Sequence, residues 1–229
     1  MDNDGGSVKD AHTISKTNRN VTKREIVGLA IVAIAMITLF IPPPTTYFVF
    51  GVFIAAPVML MITYWLTRFS SLFKPTPKSI AVGLVSASLL YLIFYAGNLA
   101  VKNYGNLVGL QSSSETSIYS TIGAHPIYLQ ILILIFDAFG FESYFRGTLQ
   151  NFISNKIKGT SRKKSGSVFL TALCDSLIHV VSLNPLWVVT TFIADSVWGL
   201  TYRGTKDLSS SVVSHFVWDV VIFVIAPIK

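Results

Sequence analysis

Two stretches of this chain, Thr46–Leu66 and Ile80–Val101, contain no charged side chain. Each runs for about 20 residues, the length a helix needs to cross roughly 30 Å of bilayer hydrocarbon. A backbone in lipid must satisfy its own amides and carbonyls, so such runs fold as helices. The remainder agrees: of 229 residues, 52% are hydrophobic and only 13% charged, about half the charged share of a soluble domain. The reading is an all-α, polytopic transmembrane helical bundle.

Seven helices are expected near residues 26–42, 46–66, 79–101, 127–155, 167–183, 186–202 and 208–228, behind a polar tail over 1–25. Pro42-Pro43-Pro44 ends the first and Asn184-Pro185 separates the fifth from the sixth, because proline lacks the amide donor that continues a helix. The fourth is longer than one span, and its end is expected to emerge from the membrane. The tail mixes Asp2, Asp4 and Asp10 with basic groups and lacks the short apolar core of a signal peptide. A tail in the cytosol leaves the Asn20-Val21-Thr22 sequon unmodified. Cys174 is the single cysteine and can form no internal disulfide. No internal repeat is visible, and the polar segment 102–126 reads as an external loop.

Basic residues set the orientation. Lys9, Lys16, Arg19, Lys23 and Arg24 lie in the tail; Arg68, Lys74 and Lys78 follow the second helix. Lys156, Lys158, Arg162, Lys163 and Lys164 follow the fourth, and Arg203 and Lys206 the sixth. Of the 18 Lys and Arg residues only Lys102, Arg146 and Lys229 lie elsewhere. The positive-inside rule then places the N-terminus in the cytosol. The net charge of +7 is on this reading a topogenic signal with some affinity for anionic lipid heads, not a nucleic-acid footprint.

Ionisable residues inside spans are costly and usually functional, and the last four helices carry nearly all of them. Glu142 and Arg146, Asp175 and His179, and His215 and Asp219 are each spaced i, i+4, which places each pair on one helix face. Counted at about 1.5 Å per residue from the cytosolic ends, these groups and Asp195 share one slab about 10 to 20 Å deep. They are expected to gather around a single wet pocket below the inner leaflet surface. Each also has a structural explanation. Glu142 with Arg146 can be a neutralised ion pair, and an intramembrane histidine can be an interhelical hydrogen-bond partner. Asp137 and Lys102 are placed near the outer interface. Trp187, Trp198 and Trp218 read as packing or interface anchors, and Ser209–Ser211 with Ser214 as helix-packing residues.

FESYFRG, a histidine in the fifth helix, and GLTYRGTKDLSSSVVSHFVWD together resemble the CPBP family (CAAX protease and bacteriocin-processing, Abi) of intramembrane endopeptidases, the type II CAAX prenyl endopeptidases among them. The resemblance covers about residues 127–225. The family has two adjacent glutamates, three spacers and an arginine; then Phe-x-x-x-His; then His-x-x-x-Asn/Asp. It implies that Glu142 stands for the second glutamate, Arg146 for the arginine, His179 for the second motif, and His215 with Asp219 for the third. The implied chemistry is hydrolysis of a peptide bond in a membrane-associated, prenylated or apolar substrate, so the implied partners are the bilayer and a peptide or membrane protein, with the plasma membrane as default location.

Zinc is a candidate cofactor, with His179, His215 and Asp219 as ligands and one position open for water. Without metal, a carboxylate base and imidazole donors serve the same hydrolysis. Two positions depart from the pattern. Phe141 occupies the place of the first glutamate, the residue that activates water in the family. Glu142 points about 100° away from it around the helix. Asp175 stands where the second motif has phenylalanine, so a base relocated to Asp175 is one expectation. A catalytically silent binding, immunity or scaffold protein is the alternative. A transporter is the third, disfavoured by the missing repeat and by the lack of matching interrupted helices.

Overall fold

The expected runs appear as helices in the computed structural model, which describes residues 23–35, 46–67, 69–104, 122–157, 165–182 and 185–228. Helix α1 covers 23–35, α2 Thr46–Leu66, the short α3 Phe69–Leu72, and α4 Pro77–Tyr104. Helix α5 runs over Ile127–Lys156 and α6 over Gly166–Ile178, followed by a tight turn at His179–Ser182. Helix α7 is Pro185–Thr205 and α8 Leu208–Val220, widening into a π-turn at Val221–Ile225. No strand occurs among the described residues. The segments 1–22, 105–121 and 158–164, with the sequon, Pro42–Pro44 and Asn184, lie outside them.

Local chemistry sets the helix starts. Pro77 and Pro185 open α4 and α7, positions where the missing amide costs nothing. Thr76 and Ser79 cap α4 reciprocally, each backbone N–H donating to the other's hydroxyl at 2.8 and 3.1 Å. Lys206 takes a left-handed turn at φ 58°. Asp207 then caps α8 by accepting from the Ser209 N–H at 3.0 Å, and the same oxygen accepts from the Lys74 N–H at 3.0 Å. One carboxylate thus ties the start of α8 to the start of α4.

Small residues let helices approach closely. A Cβ on Gly140 would sit 2.5 Å from Ala56 Cβ, and one on Gly83 would sit 2.7 Å from the Ser210 carbonyl oxygen. These contacts join α5 to α2 and α4 to α8, the close approach expected where lipid removes the hydrophobic drive between helices. Ser209–Ser211 and Ser214 are all buried, and Ser210 with Val213 forms the α8 side of the contact at Gly83.

Polarity is inverted relative to a water-soluble protein. Met61, Tyr64, Leu92 and Tyr128 point outward, whereas Glu142, Arg146, Asp195 and Asp219 are buried. Three helices are both long and apolar enough to span a membrane: Pro77–Tyr104, Ile127–Lys156 and Leu208–Ile225. Gly51–Leu66 and Gly166–Val181 are apolar but shorter. The chain is an integral membrane protein built as an all-α bundle.

The two ends of the bundle differ in charge. Arg24 lies over the Trp65 ring, Thr148 bonds Thr63 at 3.2 Å, and Asn151 bonds the Tyr202 hydroxyl at 2.7 Å. With the Lys74–Asp207 tie, these contacts bring the starts of α1, α4 and α8 together with the ends of α2, α5 and α7. Lys23, Arg24, Lys74, Lys78, Lys156, Arg203 and Lys206 all belong to that end, and Lys102 near the close of α4 belongs to the other.

Candidate active site

The intramembrane ionisable groups form two adjoining clusters. The first surrounds Arg146, whose side chain is fully buried. Its Nε donates to Glu142 Oε2 at 3.2 Å and its Nη2 to Asp195 Oδ1; Asp175 lies within electrostatic reach. Arg146 sits in a π-turn, Phe145–Gln150, where α5 widens by one residue per turn, a feature frequent at functional sites. On its basic-end side this cluster is closed by Gln150, which donates to the Gly199 carbonyl at 3.1 Å, and by the Asn151–Tyr202 bond. It acts as a polar plug across α5, α6 and α7.

The second cluster lines a cavity of about 350 Å³. Asp137, Phe141, Asp175, His179, His215 and Asp219 all face it, among mostly apolar neighbours from α4, α7 and α8. His215 is held on three sides. Its Nδ1 bonds Glu142 Oε1 at 3.1 Å, the Trp198 ring stacks on it with centroids 3.7 Å apart, and its Nε2 faces two carboxylates. Asp219 Oδ2 lies 3.4 Å from that nitrogen and Asp137 Oδ2 3.8 Å. His179 begins the tight turn after α6, where its Nδ1 donates to the Asp175 carbonyl at 3.1 Å, and Trp187 meets its ring edge-on at 5.6 Å. Both histidines therefore contribute to one cavity wall, and Asp137 is within electrostatic reach of both.

Glu142 is not a lining residue. It bridges the clusters, receiving Arg146 on one oxygen and His215 on the other, so it orients the imidazole from behind. Phe141 stands at the wall in its stead. The carboxylate that does enter from the same face of α5 is Asp137, one turn before Phe141. Asp137, read from the sequence as a structural residue toward the outer interface, thus lines the cavity. Three described donor groups converge: Asp137, His215 and Asp219, with one ligand atom of each within 4.8 Å of the others. His179, expected in a zinc set with His215 and Asp219, is outside that trio. Of the two readings of the tryptophans, packing is the one the contacts bear out: Trp187 and Trp198 pack on the two imidazoles, and Trp218 packs edge-on against Trp198 and Phe94.

The cavity's position differs from a pocket below the inner leaflet surface. Its walls include Gly97, Val101, Ile122, Leu186, Trp187 and Ile228, which belong to the helix ends opposite the basic ones. Asp137 is about 15 Å from the start of α5 and about 28 Å from its basic end, at 1.5 Å per residue. Because α5 spans 30 residues and overshoots its neighbours at the basic end, the count along α8 is the shorter one: His215 lies about 10 Å from the basic end, and the cavity extends from it toward the opposite end.

Residues 123–221 match the family model described as type II CAAX prenyl endopeptidase Rce1-like. The curated proteins and the solved structures contain no match to the chain. The matched span holds both clusters, Asp137 through Asp219, and over it the chain is similar to the type II CAAX prenyl endopeptidases.

Proposed function

We propose that the chain is an intramembrane endopeptidase that hydrolyses a peptide bond of a membrane-associated substrate carrying an apolar or prenyl chain. The observation that carries this reading is an apolar cavity onto which His179, His215, Asp219 and Asp137 all open. Sites for small ligands are concave and largely apolar, with a few converging polar groups. Here the apolar walls suit a lipid-like chain, and the polar groups sit together on one side.

In this mechanism Asp219 or Asp137 takes a proton from water. His215, oriented by Glu142 and Trp198, holds that water through its Nε2 lone pair, and the hydroxide adds to the scissile carbonyl carbon while the protonated carboxyl returns the proton to the leaving amine. The second nitrogen of His179 is an acceptor while Nδ1 donates to the Asp175 carbonyl, and it receives a substrate N–H. Arg146 pairs with Glu142 at 3.2 Å and holds it in place, and so acts as a positioning residue. If zinc is bound, Asp137, His215 and Asp219 are the residues that fit it, and it would supply a Lewis acid for the same water.

The silent-member reading is favoured by one observation, Phe141 at the wall where the family has a glutamate. The test is cleavage of a farnesylated fluorogenic peptide by the purified protein in lipid nanodiscs, beside His179→Ala and His215→Ala. Loss of turnover by at least ~100-fold in both variants supports hydrolysis. Peptide binding without turnover in the wild type favours the silent reading, and neither binding nor turnover sinks both.

A further inference from the structure

We propose that Asp137 is a specificity residue: it receives a cationic group with N–H donors, a lysine or arginine side chain, on the apolar peptide that enters the cavity. The proposal rests on the hydrolase reading and names a feature of its substrate. Three observations carry it. First, the lining is one-sided in charge. Asp137, Asp175 and Asp219 face the cavity beside two imidazoles, and no lysine or arginine is among the described residues that line it. Arg146 lies behind the wall, already engaged by Glu142 and Asp195. Second, Asp137 is the carboxylate left over. Hydrolysis needs one base, and Asp219 lies the closer to His215 Nε2, at 3.4 Å against 3.8 Å for Asp137. Asp175 shares a hydrogen bond with Asp195, whereas the contact of Asp137 with His215 is past hydrogen-bond length. Third, this side of the cavity is short of donors. Asp219 Oδ2 is buried with no hydrogen-bond partner and belongs to a residue only 2% exposed that lines the cavity.

The wall around Asp137 is apolar. Ile133, Leu134 and Phe141, about one turn away on either side, line the cavity with it. A carboxylate in such surroundings is costly to leave without a charged or hydrogen-bonded partner, and a guest can be both. An ammonium or guanidinium donates to Asp137, and its charge offsets the second carboxylate nearby. The rings of Phe94 and Trp218, also on the cavity, attract the same charge where it meets a ring face. A quaternary ammonium lacks the N–H donors that the carboxylate accepts. A negatively charged group, such as a free C-terminal carboxylate, is repelled by this lining.

The experiment is competition binding to the full-length protein in phosphatidylcholine nanodiscs, with empty discs subtracted and turnover measured in parallel. Farnesylated peptides that carry lysine at each position in turn, or glutamine, glutamate or trimethyllysine there, displace a fluorescent parent peptide. At one position lysine is expected to bind at least about tenfold tighter than glutamine, and glutamate weaker than glutamine. Trimethyllysine, which keeps the charge without an N–H, falls toward glutamine. Asp137→Asn brings lysine and glutamine within about threefold of each other, and Asp137→Glu keeps the preference. Size-exclusion profiles identify any variant that fails to fold, and the peptide series on the wild type then decides. No lysine preference at any position overturns the proposal, as does a preference that survives Asp137→Asn or is equally strong for trimethyllysine. Cleavage without the preference overturns this proposal and leaves hydrolysis intact. A lysine preference through Asp137 without any cleavage does the reverse.

Discussion

The Arg146 plug and the His215 cavity are built from the same materials and reach opposite outcomes. In the plug, two carboxylates meet a guanidinium head-on, and side-chain amides from α5 close the basic end. In the cavity, two carboxylates meet an imidazole nitrogen, and the remaining space is lined by apolar walls. A buried ion pair holds helices in register only while both partners remain, whereas imperfectly paired polar groups next to empty space are what a site for chemistry needs. Glu142 belongs to both and couples them.

The largest expected effect comes from breaking the plug. Arg146→Ala leaves Glu142 and Asp195 without their cation, and should destabilise the protein by about 3–5 kcal/mol, measured as thermal or denaturant unfolding in nanodiscs. Next is Gly199→Ala. The added Cβ would lie 2.7 Å from Val168 Cγ1 and 2.8 Å from Gln150 Oε1, a clash that should cost about 1–3 kcal/mol. On the cavity side the same assay should barely respond. Asp219→Asn replaces a carboxylate whose Oδ2 makes no hydrogen bond and only faces His215 Nε2 at 3.4 Å, so stability should change by about 1 kcal/mol or less while peptide turnover falls at least ~100-fold. Equal destabilisation by the Arg146 and Asp219 variants would erase the distinction between the clusters.

A smaller effect probes the basic end itself. Burial alone would raise the Asp207 pKa, but hydrogen bonds from the Ser79 hydroxyl and from the Lys74 and Ser209 N–H groups outweigh it and hold the carboxyl below its ordinary value of 3.8. A lowered folded value stabilises the protein above the unfolded value, and that contribution is lost as pH falls through the folded one. Asp207→Asn keeps the capping oxygen but loses the charge at the helix N-terminus, and should cost about 0.3–1 kcal/mol at pH 7. The gap between variant and wild type should close as pH drops below about 4, which parallel melts at pH 7 and in mild acid would show.

Much of the bundle was legible because the bilayer imposes one length and one secondary structure. Helices α2, α4, α5 and α8 lie within a few residues of the apolar runs that announce them. The i, i+4 pairs were readable for the same reason. The role of Asp137 was not, because its depth was judged from one helix end at a time and α5 overshoots its neighbours. A usable signal did exist: Asp137 precedes Phe141 by one turn, on the face that lost its glutamate. The stacking of Trp198 on His215 depends on how α7 crosses α8, and the π-turn at Phe145–Gln150 on how α5 meets α7; neither pattern is written in local spacing. Nor does spacing show that the cavity walls run to the helix ends away from the basic residues.

The most direct measurement is photo-crosslinking with a farnesylated peptide that carries a diazirine on its lipid chain, mapped by mass spectrometry with and without excess unlabelled peptide. The account predicts competable adducts on cavity-wall residues such as Trp187, Ile193 and Phe223. Adducts confined to lipid-facing residues such as Leu92 and Tyr95, unaffected by competitor, would contradict it.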